Sequence, residues 1–204
     1  MTAPSRIYPK LKAGAICILP TETVYGLAAR ADNEDAIDQI YALKDRDYDK
    51  PLALCVKDLT TARRVADISP LARDLAEHFW PGPLTIVVPA RLPRRLDYRM
   101  YGVNEDGQST LALRRPDVRW PKGVKDLPLA LTSANLAGDP ECYSVEAVWQ
   151  SLGAHNIAAL NKGELAKAKP STIISVSENS VKILRAGDLD VEDFAPFNID
   201  WDLS

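Results

Sequence analysis

The stretch AICILPTETVYGLAA, Ala15–Ala29, sets an apolar run, Ala15–Leu19, directly before Thr21, Glu22, Thr23 and Tyr25. A short apolar run bounded by turn signals reads as a buried strand. Hydroxyls and a carboxylate placed where such a strand ends fall at the sheet edge, where open α/β sheets bind their ligands. Three further runs follow: PLALCV at 51–56, LTIVV at 84–88 and LALTS at 129–133. Segments of helical period separate them. Asp32 or Asn33 is placed to cap the first, and Ile37, Ile40 and Tyr41 then recur at the spacing of one helix face. Ser69 and Pro70 open a second helix with Leu71, Leu75 and Phe79 on one side, and PGP at 81–83 ends it. A third starts at Ser144 and stops at Gly153. Buried strands alternating with amphipathic helices predict an α/β domain. STIISV and SVKILRA, joined by Glu178–Asn179, read as an antiparallel hairpin, so the sheet is expected to be mixed.

The 204 residues, 46% hydrophobic and 26% charged, suit one ordinary globular domain. With 25 basic and 28 acidic residues the net charge is -3, which argues against a general polyanion-binding surface and leaves room for a local basic cleft. Cys17, Cys55 and Cys142 are odd in number and unpaired in spacing, indicating neither a disulfide framework nor a thiolate metal site. A reducing cytoplasm is the expected location. No apolar run is long enough for a signal sequence or a membrane span. His78 and His155 are too few for a histidine-rich metal site. The segment 188–204 is acidic and carries Phe194, Phe197 and Trp201, so it is expected to pack back on the domain.

Four polar clusters lie beside the strands. In KDRDYDKP, Lys44 falls seven residues after Ile37, on the apolar stripe, and converges with Arg46 only if the helix ends near Lys44. Together with Lys50 these cations suit a polyphosphate; by themselves they more often mark a solvated helix end neutralised by Asp45, Asp47 and Asp49. Thr110 and Arg114, four apart on a strand, share a face, and Arg114 fits a carboxylate or a surface ion pair. Ser133 and Asn135 offer neutral donors and acceptors, or simply a capped turn. Arg91, Arg94, Arg95 and Arg99 form either an RNA-facing strip or a charged loop.

In this order the clusters resemble the YrdC-like family of threonylcarbamoyl-AMP synthases. The resemblance rests on PTETVYGL, the triplet Lys44-Asp45-Arg46 leading to DKPL, FWPGPLT, the strand ending at Arg114, Ser133-Ala134-Asn135, PSTI and ILRAG. It implies a twisted mixed parallel/antiparallel sheet with flanking helices around a concave, positively charged cavity, with the YrdC-like domain at 1–187 and an acidic tail at 188–204. The implied reaction condenses L-threonine, bicarbonate and ATP, with Mg²⁺, into threonylcarbamoyl-adenylate and pyrophosphate. A tRNA threonylcarbamoyl transferase machinery would then modify the adenosine next to the anticodon.

Carried over by motif, Lys44 and Arg46 are the expected catalytic cations. Arg46, Lys50, Thr110, Ser133, Asn135, Ser144 and Arg185 would hold ATP; Thr21, Arg114, Ser171 and Cys55 would border threonine. No protein metal ligand is implied. Asp47 stands where relatives often have proline, and Cys55 where many have histidine. The chain ends soon after ILRAGD, resembling the short form of the family. A carbamoyl-adenylate-forming domain and a non-catalytic RNA-binding paralogue are the competing readings.

Overall fold

The computed structural model describes residues 2–91, 95–177, 180–197 and 199–202. In chain order it forms α1 (Ile7–Lys12), β1 (Cys17–Pro20), β2 (Tyr25–Arg30), α2 (Glu34–Lys44), β3 (Ala53–Cys55), α3 (Leu59–Val65), α4 (Pro70–Phe79) and β4 (Leu84–Pro89). Then come β5 (Tyr101–Val103), β6 (Ser109–Arg114), β7 (Leu129–Ser133), α5 (Val145–Leu152), β8 (Ala158–Ala159), β9 (Thr172–Val176), β10 (Ser180–Arg185) and β11 (Asp200–Asp202).

Local chemistry explains the helix ends. Asn33, not Asp32, caps α2, its side chain accepting from the Ala36 amide at 3.0 Å. Asp32 is held instead by Arg30 at 2.6 Å. Asp58, Ser69 and Ser144 cap α3, α4 and α5 in the same way, each worth about 1 kcal/mol. Helix α2 stops at Lys44 because Asp45 takes a left-handed conformation, φ 48°.

Among the described residues the strands build one sheet in the order β11-β10-β9-β4-β6-β3-β7-β2-β1-β8, with β5 also paired to β6. The pairs β3–β6, β4–β9, β1–β8 and β10–β11 are parallel and the others antiparallel. Alternation divides the core between the faces. Ile18 and Leu27 join α2 and α4 in a large cluster, while Cys17, Leu19, Ala28 and Leu129 pack with α1 and Trp120 in a smaller one.

The hairpin of β9 and β10 is antiparallel as expected; its turn, Glu178–Asn179, lies outside the described residues. The segment after Gly187 packs back. Phe194 is buried against Phe79 and Trp201, ring centroids 5.0 and 5.6 Å away, and β11 adds a parallel edge strand to β10. Among the described residues no helix is long and apolar enough to cross a membrane.

Candidate active site

Six neighbouring strands form the floor of one cavity. Ile173 of β9, Thr85 of β4, Ala112 and Arg114 of β6, Ala53 of β3, Leu131 and Ser133 of β7, and Gly26 of β2 all line it. Register brings them together: Ile173 lies beside Thr85, Thr85 beside Arg114, Ala53 beside Leu131, and Gly26 beside Ser133. Small residues keep the floor concave. At Gly26 an added Cβ would sit 2.8 Å from Leu131 and 2.9 Å from the Thr132 carbonyl oxygen, so no side chain fits there. Thr21, Arg46, Ser171 and Arg185 complete the walls.

Three arginines therefore meet over about 110 Å³. Arg114 donates one terminal nitrogen to Glu22 at 2.7 Å and to Thr23 at 3.0 Å. Its Nε is buried and has no hydrogen-bond partner among the described residues. Arg46 donates to the Lys50 and Pro51 carbonyls at 2.9 and 3.1 Å. Arg185, although exposed as a residue, turns its guanidinium in to the Ser171 carbonyl and hydroxyl at 2.7 and 3.1 Å. Burial first pulls the Arg185 guanidinium below its ordinary value; Glu141 opposes the shift, and Arg114 and Arg46 add to it by like-charge repulsion. Such a group favours an anionic ligand.

The opening PTET forms a closed turn. Thr21 donates to the Val24 carbonyl at 2.6 Å and accepts from the Val24 amide, while Glu22 holds both Arg114 and the Asp117 amide. Glu22 is thereby an anchor for Arg114. The Tyr25 hydroxyl donates to Gly163 and accepts from the Lys162 amide, tying the loop before Ser171 to β2.

Lys44 is 2% exposed and does not line the cavity. Its Nζ donates to the Ser133 and Asn135 carbonyls, both at 2.6 Å, so it shapes the Ser133–Asn135 loop from behind. Burial, then Arg46, pushes its pKa down to about 8.

Of the residues singled out from sequence, the cavity gathers Thr21, Arg46, Arg114, Ser133, Ser171 and Arg185. Asn135 stands behind it, accepting from the Ser133 hydroxyl at 2.6 Å. Thr110 packs under Gly102, where an added Cβ would sit 3.0 Å from its hydroxyl oxygen. Ser144 is used as the α5 cap. Lys50 is exposed and paired with Asp47 at 2.5 Å, so Lys44, Arg46 and Lys50 do not converge. Cys55 instead lines a wider cleft of about 420 Å³ beyond Val56, with Lys57, Arg64 and Lys125. That cleft is larger but lacks the converging buried polar groups of the first.

The place of Arg99 in the arginine strip is corrected, because it turns inward. Arg99 is buried and ion-paired with Asp97 and Asp38, Arg91 pairs with Asp67, and Arg94 lies outside the described residues. Thr85 was missed as a site residue, although it sits in the quoted FWPGPLT motif. Only the cross-strand register places it beside Arg114.

A mixed parallel and antiparallel sheet with flanking helices is the architecture of the Sua5 and YciO structures. The Sua5/YciO/YrdC family model, described as telomere recombination, matches residues 9–187, and the chain belongs to this family. It is 32% identical over 202 residues to the threonylcarbamoyl-AMP synthase of Bacillus subtilis, covering 95% of this chain and 57% of that protein. With the threonylcarbamoyl-AMP synthase of Vibrio vulnificus it shares 33% identity, covering 82% of this chain and 90% of that one. The structure of P. abyssi Sua5 complexed with L-threonine superposes with a TM-score of 0.81 at 29% identity, covering 98% of this chain and 58% of that one. The chain thus spans a little over half the length of the B. subtilis and P. abyssi relatives. E. coli YciO shares the fold, with a TM-score of 0.76 at 22% identity, covering 94% of this chain and 92% of that one.

Proposed function

We propose that this protein is an L-threonylcarbamoyladenylate synthase, condensing L-threonine, bicarbonate and ATP into threonylcarbamoyl-AMP and pyrophosphate. The observation that carries this reading is the convergence of the Arg114, Arg46 and Arg185 side chains on one cavity. Guanidinium groups gathered at a cavity wall are matched by a carboxylate or phosphate. The names of the relatives, and the threonine bound by P. abyssi Sua5, support threonine as a substrate and threonylcarbamoyl-AMP as the product.

The threonine carboxylate is assigned to Arg114, with the amino group directed across the cavity toward bicarbonate or CO₂. The amine nitrogen attacks the carbon to form the carbamate, with loss of water from bicarbonate or, with CO₂, release of the amine proton to solvent. A carbamate oxygen then attacks the α-phosphorus of ATP, the bond to the β-phosphate oxygen breaks, and pyrophosphate leaves. Arg46 and Arg185 stabilise charge developing on phosphoryl oxygens. Orientation of the reactants supplies effective concentrations on the order of 10⁵ M. Cavity walls that exclude water protect the labile carbamate.

The donor set bears on Mg²⁺. Among the described residues no group of three or more His, Cys, Asp or Glu could hold a metal ion, and the lining offers cations and hydroxyls. Mg²⁺ is therefore assigned to the triphosphate as Mg-ATP, part of the substrate. The product would pass to a tRNA threonylcarbamoyl transferase in a reducing cytoplasm, a setting that suits three free cysteines.

Purified protein with Mg-ATP, bicarbonate and L-threonine is expected to yield threonylcarbamoyl-adenylate and pyrophosphate by mass spectrometry, and omission of any substrate to abolish both. Carbamoyl-adenylate formed from carbamoyl phosphate instead would overturn the reading.

A further inference from the structure

Hydroxyl protons in the cavity can be counted. In the Thr21–Thr23 pair the oxygens are 3.0 Å apart, and Thr21 already donates to the Val24 carbonyl. The proton between them therefore belongs to Thr23, and both are committed. A second pair lies across the floor: Thr85 Oγ1 and Ser171 Oγ, 2.9 Å apart, each residue 2% exposed. Arg185 donates to Ser171 at 3.1 Å, which uses a lone pair and no proton. Neither hydroxyl has another hydrogen bond among the described residues. Two hydroxyls sharing one hydrogen bond leave one proton over, whichever way the bond runs. The pair thus faces the cavity with an uncommitted donor and free lone pairs, beside apolar Ala112 and Ile173.

We infer that Thr85, paired with Ser171, determines specificity by reading the side-chain hydroxyl of the amino-acid substrate, while apolar neighbours receive its methyl group. This rests on the proposed function above. A hydroxyl both donates and accepts, and the pair complements both roles. Thr85 lies directly beside Arg114 in the register, so one ligand can reach both when its carboxylate is on the guanidinium. A site built to hydrogen-bond a hydroxyl rejects the analogue that lacks it more strongly than an apolar pocket rejects a missing methyl.

The test is calorimetric binding of L-threonine and L-2-aminobutyrate, which lacks only the hydroxyl, with a non-hydrolysable ATP analogue present. Wild type is expected to favour threonine by about 10²-fold or more. Thr85→Val, nearly isosteric, should reduce that ratio by about 10-fold or more, and Ser171→Ala should reduce it too. Thr85→Ser, which keeps the hydroxyl, should retain the preference, and circular dichroism checks that each variant is folded. Equal weakening of both ligands by Thr85→Val would show a structural hydroxyl and overturn the inference alone. Failure of folded wild type to bind threonine would overturn this inference and the functional reading together.

Discussion

Among the described residues two arginines are buried, and they are buried differently. Arg99 has a partner on each of its three nitrogens: Asp97 accepts from Nε and a terminal nitrogen, both at 2.8 Å, Asp38 accepts at 2.6 Å and the Glu34 carbonyl at 2.9 Å. Tyr41, Tyr48 and Tyr98 bring their ring centroids within 5.2–5.8 Å of its guanidinium carbon. Burial alone would raise the Asp97 carboxyl, but hydrogen bonds from the Arg99 side chain and amide outweigh it and hold the carboxyl below its ordinary value. Arg114 has one terminal nitrogen on Glu22 and Thr23 while its buried Nε is unfilled. A satisfied buried charge holds structure together, whereas a partly satisfied one at a cavity wall is poised for a ligand.

The comparison breaks most sharply at Arg99. Arg99→Met strands the Asp97 carboxylate, and urea unfolding is expected to show a loss of about 3–5 kcal/mol. A loss below about 1 kcal/mol would mean that Asp97 is rescued by solvent, and the contrast would fail. Arg114→Met should do the reverse. Its partner Glu22 keeps the Asp117 amide and some solvent access, so folding should suffer little, while kcat/KM for threonine should fall about 10²-fold in steady-state kinetics. Undiminished threonine turnover would remove Arg114 from the site.

Lys44 gives the smallest effect and extends the contrast to a cation behind the cavity. Its folded pKa of about 8 lies below the ordinary lysine value of 10.5, so between those values the unfolded chain binds more protons and stability rises with pH. Wild type relative to Lys44→Met should gain about 2 kcal/mol between pH 8 and pH 10 in paired urea titrations. The thiols of Cys17 and Cys55, pushed up to about 11 and about 12 mainly by burial, act in the opposite sense over this range, which is why the paired difference is read. A flat difference would place the Lys44 ammonium in a solvated setting.

Much of this was legible because it depends on neighbours in sequence. Ser69-Pro70 and Ser144 announce their helices, since a cap needs only the amide three residues ahead. The position of Lys44 on the apolar stripe marked it as unusual, and it is buried. Arg46 reaches the cavity because α2 ends where the reading required. Less legible were Lys50, captured by Asp47, and Cys55, which the short β3 carries past the cavity into another cleft. Arg99 looked like part of a basic strip because nothing local shows that its loop folds inward onto Asp38, sixty-one residues away.

By itself, the sequence determined the alternation of buried strands and capped helices, the family, and most of the polar side chains that meet in the cavity. Those follow from periodicity, capping and motifs, all short-range properties of the chain. Only the tertiary structure decided which cations face a ligand and which brace the wall, because hydrogen-bond satisfaction is settled by partners from distant strands. It put Thr85 beside Arg114 and Ser171 and left one hydroxyl proton of the Thr85–Ser171 pair uncommitted. In the opening stretch, it made Glu22 the anchor of Arg114.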